Sequence, residues 1–300
     1  MLTAFLIAVV GCCLFYGRIP TPLLILICSG FGFIWMKLGK HEHTSFLSID
    51  ILAQNSRLNR VNPTLKFWTI LILIVLCVSA RNSVTGLFLA FAMLLLTVFA
   101  GGLALHDYIH LLMLPITFLM VSSLALLFDI TAQSTGVFNF QIFEFWLCIS
   151  VGAQSKTMLV IARVLGAISC MYLLSLTTPM PELIGVLRRT HCPEVLIELM
   201  YLIYRYIFIL FSMYRAMRDA AASRLGFADH RTNMRTSGNL YANLLSRSYR
   251  QANKHFDAME SRCYDTGIRF LERREPVTRT QAVTAVSLII FTVCLSSLFY

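Results

Sequence analysis

Two arginines, Arg224 and Arg262, close two long helical runs and carry the most specific chemistry in the chain. The first run ends Ala220-Ala221-Ala222-Ser223-Arg224-Leu225-Gly226-Phe227, and the second ends Ala258-Met259-Glu260-Ser261-Arg262-Cys263-Tyr264. A guanidinium presents a rigid fork of donors that fits a carboxylate bidentately. Small neighbours, Ala222 and Ser223 at one end and Ala258 and Ser261 at the other, would let such a helix end enter a groove on another protein. Taken singly, each arginine also fits a plainer description: a solvated helix-end cation favoured by the macrodipole.

Other titratable groups carry less. His106 and His110 stand at i and i+4 with Asp107 beside them, so they would share a helix face. His41 and His43 flank Glu42. Neither cluster offers the four protein ligands of a structural metal site, so both read as polar residues at a membrane–water boundary, and no metal is expected. Arg163 is the one charge in the apolar run 158–177. A cation there needs a partner, for which Asp129 and Glu144 are candidates, or it snorkels to the interface. The nine cysteines are scattered and form no Cys-x-x-Cys pair, as expected of small buried hydrophobes. No phosphate-binding Gly-x-x-x-x-Gly-Lys-Ser/Thr loop, Gly-x-Ser-x-Gly elbow or His-Glu-x-x-His helix occurs. Catalysis by the chain itself is not expected, and no cofactor is implied.

The elements that must position these residues follow from composition. The chain is 57% hydrophobic and 13% charged, against about 25% charged in a soluble domain. Its apolar runs approach helix-spanning length, which favours membrane helices over a barrel of alternating strands. The expectation is an all-α polytopic membrane protein. Of the 25 Lys+Arg, sixteen lie in 188–279, against nine of the fifteen acidic residues. The positive-inside rule puts that stretch in the cytoplasm. Its basic surface suits anionic lipid or an acidic protein partner. No motif supports nucleic acid.

In order, residues 1–45 read as an N-terminal transmembrane hairpin, with apolar runs 2–17 and 22–38. Residues 46–180 read as core transmembrane helices, 181–279 as a cytoplasmic segment with the two arginine-ended helices, and 280–300 as a last span. Phe46-Leu47-Ser48-Ile49-Asp50-Ile51-Leu52 suits an interfacial amphipathic turn. Asn62-Pro63 starts a helix that Arg81-Asn82 ends. Spans follow at 84–105 and 111–130, linked by 106–110. Alternation at Phe138, Phe140 and Ile142 suggests a short extended piece. After the span at 158–177, Pro179 and Pro181 break the helix, and a short helix covers 182–189. Pro193 and Glu194 open a long helix, apolar to 213 and polar beyond. A loop is expected at 228–238. The second long helix carries the stripe Leu245, Tyr249, Ala252, Phe256, Met259 and Cys263, which should pack on a partner helix. A basic connector covers 269–279.

Thr177-Thr178-Pro179 with Glu182-Leu183, Tyr204-Arg205-Tyr206, Asn62-Pro63-Thr64-Leu65-Lys66, Arg163-Val164-Leu165-Gly166-Ala167 and the two arginine endings together resemble the transmembrane T component of energy-coupling-factor transporters. The cobalt-type, CbiQ-like branch is the nearest. The resemblance runs from about Asp50 to the C-terminus. It implies a non-catalytic coupling subunit, embedded in the bilayer, that joins two cytosolic ABC-type ATPases to a substrate-binding membrane subunit. It also implies that Arg224 and Arg262 dock into the ATPases. Leu225 and Cys263 stand where a glycine is usual in that family, with Gly226 one place later. The hairpin at 2–38 lies outside the family pattern. Cobalt is the implied substrate, with nickel or a vitamin as alternatives. A self-contained secondary permease is the rival from another class, and it would need several mid-membrane ionisable groups.

Overall fold

A computed structural model describes residues 10, 50, 52–54, 56–131, 138–142, 145–190, 192–264 and 276–298. The hairpin at 2–38 apart from residue 10, His41 and His43, most of the turn at 46–52, the side chain of Asp129, Glu144 and most of the connector at 269–279 lie outside the described residues. The helices, in order, are α1 Pro63–Ser79, α2 Ser83–Leu95, α3 Leu105–Leu127, α4 Val151–Thr177, α5 Met180–Arg189, α6 Glu194–Ser223, α7 His230–Glu260 and α8 Arg279–Leu298. Strands β1 Asp129–Thr131, β2 Phe138–Ile142 and β3 Phe145–Ile149 fall between α3 and α4. Five helical stretches are long and apolar enough to cross a membrane: Ser83–Ala100, Leu105–Leu127, Gly152–Thr177, Glu194–Ser223 and Arg279–Leu298. The chain is a multi-pass helical membrane protein. It divides into two compact units, Met1–Pro179 with Arg274–Tyr300, and Met180–Arg273.

In the first unit α4 is the hub, with α1, α2 and α3 packed on it, while α8 lies on α1 and α2. The reason is side-chain size. Gly86 of α2 faces the Ala162 carbonyl of α4 so closely that a Cβ would stand 2.4 Å from that oxygen. At Gly166 a Cβ would stand 2.7 Å from Cys77 Sγ and 2.8 Å from the Gly86 carbonyl. In lipid, where apolar side chains gain little by leaving the solvent, such small-residue contacts bring backbones together and supply dispersion energy. Bulky groups point the other way: Phe91, Phe99, Leu114 and Phe118 are all exposed, as lipid-facing residues should be.

Local signals set the helix ends. Asn62 Oδ1 accepts from the Thr64 amide at 2.9 Å, and Pro63 takes N1 of α1. The last turn of α2 widens into a π-helix, Leu96–Ala100, and Gly102 turns the chain at φ +73°. The link to α3 is therefore 101–104. His106 and His110, expected in that link, instead occupy the start of α3, where Asp107 complements the helix dipole. Pro115 inside α3 cannot donate to the Leu111 carbonyl; Tyr172 of α4 supplies the missing bond, its hydroxyl donating to Leu111 O at 2.9 Å. The alternation at 138–142 is a strand. The sheet order is β1-β3-β2, all antiparallel, with Ile142 opposite Phe145 and Asp129 opposite Cys148.

In the second unit α5 packs on α6 through Ile184, Ile197 and Tyr201. Tyr201 donates to the Pro181 carbonyl at 3.1 Å, and Arg188 pairs with Glu194 at 3.0 Å. Helices α6 and α7 form an antiparallel hairpin: Tyr214 stacks on Tyr241, Tyr206 meets His255, and Tyr264 donates to Glu198 at 2.7 Å. Two expectations need correction here. The polar stretch 228–238 is not a loop, because α7 begins at His230 and its first turns are helical with Met234, itself exposed, as their one large apolar residue. Of the stripe, Leu245, Tyr249, Ala252, Phe256 and Cys263 are exposed and Met259 alone is half-buried. The ring contacts with α6 are made instead by Tyr241 and His255, on the side where Leu240 is buried.

Candidate functional site

The two arginine ends share one backbone geometry. At the end of α6 the Leu225 amide donates to Ala222 O at 3.0 Å, and the Gly226 amide donates to Ala221 O at 2.9 Å. At the end of α7 the Cys263 amide donates to Glu260 O at 3.0 Å, and the Tyr264 amide donates to Met259 O at 3.1 Å. These paired 5→2 and 6→1 bonds are Schellman caps, with Arg224 and Arg262 at the cap position. The following residue must enter the left-handed region. Leu225 does so at φ +57° and Cys263 at φ +54°, and they are the only non-glycine residues with positive φ among the described residues. Glycine meets that requirement without steric cost, whereas a residue with a Cβ costs about 1–3 kcal/mol. The turn the missing glycines put in question is therefore made at both ends, under strain.

Glycine is used one place later at the first end for a different reason. A Cβ on Gly226 would stand 2.9 Å from Ala221 O and 3.0 Å from Thr236 Cγ2 of α7. At the second end Tyr264 takes that place and ties back to Glu198.

The serines before each arginine fold inward. Ser223 donates to Asp219 O at 2.9 Å, and Ser261 donates to Ala258 O at 3.0 Å. Ala222, Ser223, Arg224, Ala258, Ser261 and Arg262 are all exposed. No hydrogen bond or ion pair among the described residues engages either guanidinium. The first end lies against Thr236, near the start of α7, and the second closes α7, so the two are separated by about 40 Å along that helix at 1.5 Å per residue. Each end thus presents an exposed arginine beside small side chains.

Arg163 is arranged otherwise. Its Nε donates to the Ala80 carbonyl, the C-cap of α1, at 2.8 Å. The cation meets the negative end of a helix; the candidate carboxylates, Glu144 and the side chain of Asp129, lie outside what the structure describes. Lys66, which sequence reasoning left unweighed, does the converse: buried at 6% exposure, its Nζ donates to Thr177 O at the end of α4, at 3.1 Å. Helices α1 and α4 are therefore antiparallel, and each sends a cation to the other's C-terminal carbonyls. The spacing of Asn62-Pro63 and Lys66 was the available signal, since it puts a lysine in the first turn of a helix otherwise fit for lipid. His106 and His110 stand edge to face, ring centroids 5.9 Å apart, and no group of three His, Cys, Asp or Glu able to hold a metal occurs among the described residues.

Residues 54–274 match the family profile described as cobalt transport protein, CbiQ. The chain belongs to that family. It is 31% identical over 227 residues to an uncharacterized protein of Methanocaldococcus jannaschii, covering 76% of this chain and 84% of that one. It is 27% identical to the cobalt transport protein CbiQ of Rhodobacter capsulatus over 61% of this chain and 70% of the relative. A Methanocorpusculum labreanum protein bearing the name of a fused cobalt transport protein CbiMQ is 29% identical over 82% of this chain, but this covers 41% of that longer protein. The family match takes in both arginine ends, Arg163 and Lys66.

Proposed function

We propose that the chain is the transmembrane coupling subunit of an energy-coupling-factor ABC importer for cobalt. It joins two cytosolic ABC-type ATPases to a substrate-binding membrane subunit. The observation that carries this reading is the repeated end: two Schellman caps, each with an exposed arginine, about 40 Å apart along α7. A globular subunit of about 250 residues has a radius of gyration near 18 Å and so a diameter of about 46 Å. The spacing suits two such subunits side by side, one arginine each. The basic balance of 188–279 supports a cytosolic position for α7 and the polar end of α6. The relative named as a CbiMQ fusion supports a second membrane component as partner.

In this reading motion enters at the arginines. Each guanidinium enters a groove on one ATPase and pairs with a carboxylate there. When ATP binding draws the ATPases together, the capped ends move with them. α6 is continuous from Arg224 back through its apolar half, so a displacement at the cap becomes a displacement of a membrane-grade segment. Arg163 and Lys66 are structural charges that hold α1 against α4 during that motion. The chain does no chemistry itself, and 280–300 anchors it as a last span.

The test is transport. The full-length chain is reconstituted in proteoliposomes with its ATPases and substrate-binding subunit, and cobalt uptake is measured beside ATP hydrolysis. Arg224→Ala with Arg262→Ala should abolish uptake. Uptake equal to the parent's would defeat the reading.

A further inference from the structure

We propose that Leu225 and Cys263 are specificity-determining contacts, their side chains entering the partner's pocket beside the arginines. The inference rests on the ATPase-docking reading. Both side chains are costly where they stand. The turns are held by backbone bonds alone, Leu225 N to Ala222 O and Cys263 N to Glu260 O, which glycine would make equally well. Positive φ at +57° and +54° is the one conformation in which glycine is preferred. Burial does not compensate: Leu225 is 75% exposed and Cys263 is exposed. The first end has a glycine available one residue on, and it serves close packing at Gly226 rather than the turn. An exposed, strained side chain that the fold does not use, next to a cation that the fold does not use, belongs to the same outward contact.

The two side chains differ in size, so the two ends are not interchangeable. Leu225 calls for an apolar pocket deep enough for an isobutyl group. Cys263 calls for a shallow one, walled on this chain by Tyr264, which Glu198 holds. Each end then selects its own pocket, and the arginine alone does not fix the orientation of the chain on its two ATPases.

The experiment titrates purified ABC-type ATPase subunit onto the full-length chain in lipid nanodiscs and measures, separately, the thermal midpoint of the chain alone. Leu225→Gly should raise the midpoint and weaken association about tenfold, the size of a lost buried aliphatic contact. Leu225→Ala keeps the strained turn and truncates the side chain, so it should weaken association without raising the midpoint. Exchanging the two residues, Leu225→Cys with Cys263→Leu, should weaken association although both arginines remain. Parental affinity in Leu225→Gly, Leu225→Ala and the exchange would overturn the proposal. Arg224→Ala in the same titration separates the two levels. If it weakens association while these variants do not, the side-chain inference falls alone. If it too binds like the parent, the docking reading falls with it.

Discussion

Gly86→Ala is the most demanding test of how the membrane unit is packed. The new Cβ would stand 2.4 Å from Ala162 O, 2.5 Å from Ala162 C and 2.9 Å from Arg163 N. All three are backbone atoms of α4, so no rotamer change relieves the clash. Reaching ordinary contact near 3.4 Å requires α2 and α4 to separate by about 1 Å. A gap of that size forfeits a quarter to a half of each dispersion well along the seam. Overpacking a well-packed core costs about 1–3 kcal/mol, and this site belongs at or above the upper end, about 3 kcal/mol. Gly166→Ala meets both Cys77 Sγ and Gly86 O; adding Cys77→Ala should recover part of its loss, because only the sulfur contact is relieved. Gly238 of α7 is the control: a Cβ there meets nothing within 4 Å, so Gly238→Ala should gain about 0.5–1 kcal/mol from helix propensity. Reversible unfolding of the purified protein in mixed micelles, titrated with dodecyl sulfate and followed by tryptophan fluorescence, gives all four values. A Gly86→Ala protein within about 0.5 kcal/mol of the parent, the usual range of a neutral substitution, would refute the close-crossing argument.

Two further outcomes follow from the same geometry. Lys66→Met should leave the Thr177 carbonyl without its charged donor and cost about 1.5–3 kcal/mol in the same titration; an unchanged midpoint would mean the buried ammonium does not hold α4. Single cysteines at Thr232 and Asn243, both exposed on α7, should react with an impermeant maleimide only from the cytoplasmic face, and labelling from the opposite face would invert the topology.

Hydropathy located the spans at Ser83–Ala100, Leu105–Leu127, Gly152–Thr177 and Arg279–Leu298, because a helix exposed to lipid must be apolar around most of its surface, whereas Glu194–Ser223, assigned to the cytoplasmic segment, is also long and apolar enough to cross. Ends marked by backbone chemistry were also legible: Asn62-Pro63 opens α1, and Ala80 caps it before Arg81-Asn82. What escaped was set by tertiary contact. Polarity at 228–238 suggested a loop, yet a surface helix needs no apolar face there. The stripe at Leu245, Tyr249 and Phe256 has helical spacing, but spacing does not say which neighbour covers it, and α6 lies against a different face. For Arg163 a helix C-terminus, invisible as a residue type, supplies a partner at the Ala80 carbonyl. The arginine endings were legible as motifs. Their shared left-handed turn was not, since Leu225 and Cys263 are residues that propensity would keep out of it.

The central claim is that Arg224 and Arg262 hold the ATPases, and equilibrium association measures it most directly. Purified ABC-type ATPase is titrated onto the full-length chain in nanodiscs, with the parent, each single Arg→Ala variant and the double variant side by side. Truncating one partner of a desolvated charge pair costs about 2–5 kcal/mol, so each single variant should bind ~30-fold weaker or worse, and the double variant should lose association altogether. An exposed, solvated arginine would cost about 0–1 kcal/mol. Three variants that all bind within a few-fold of the parent would contradict the account.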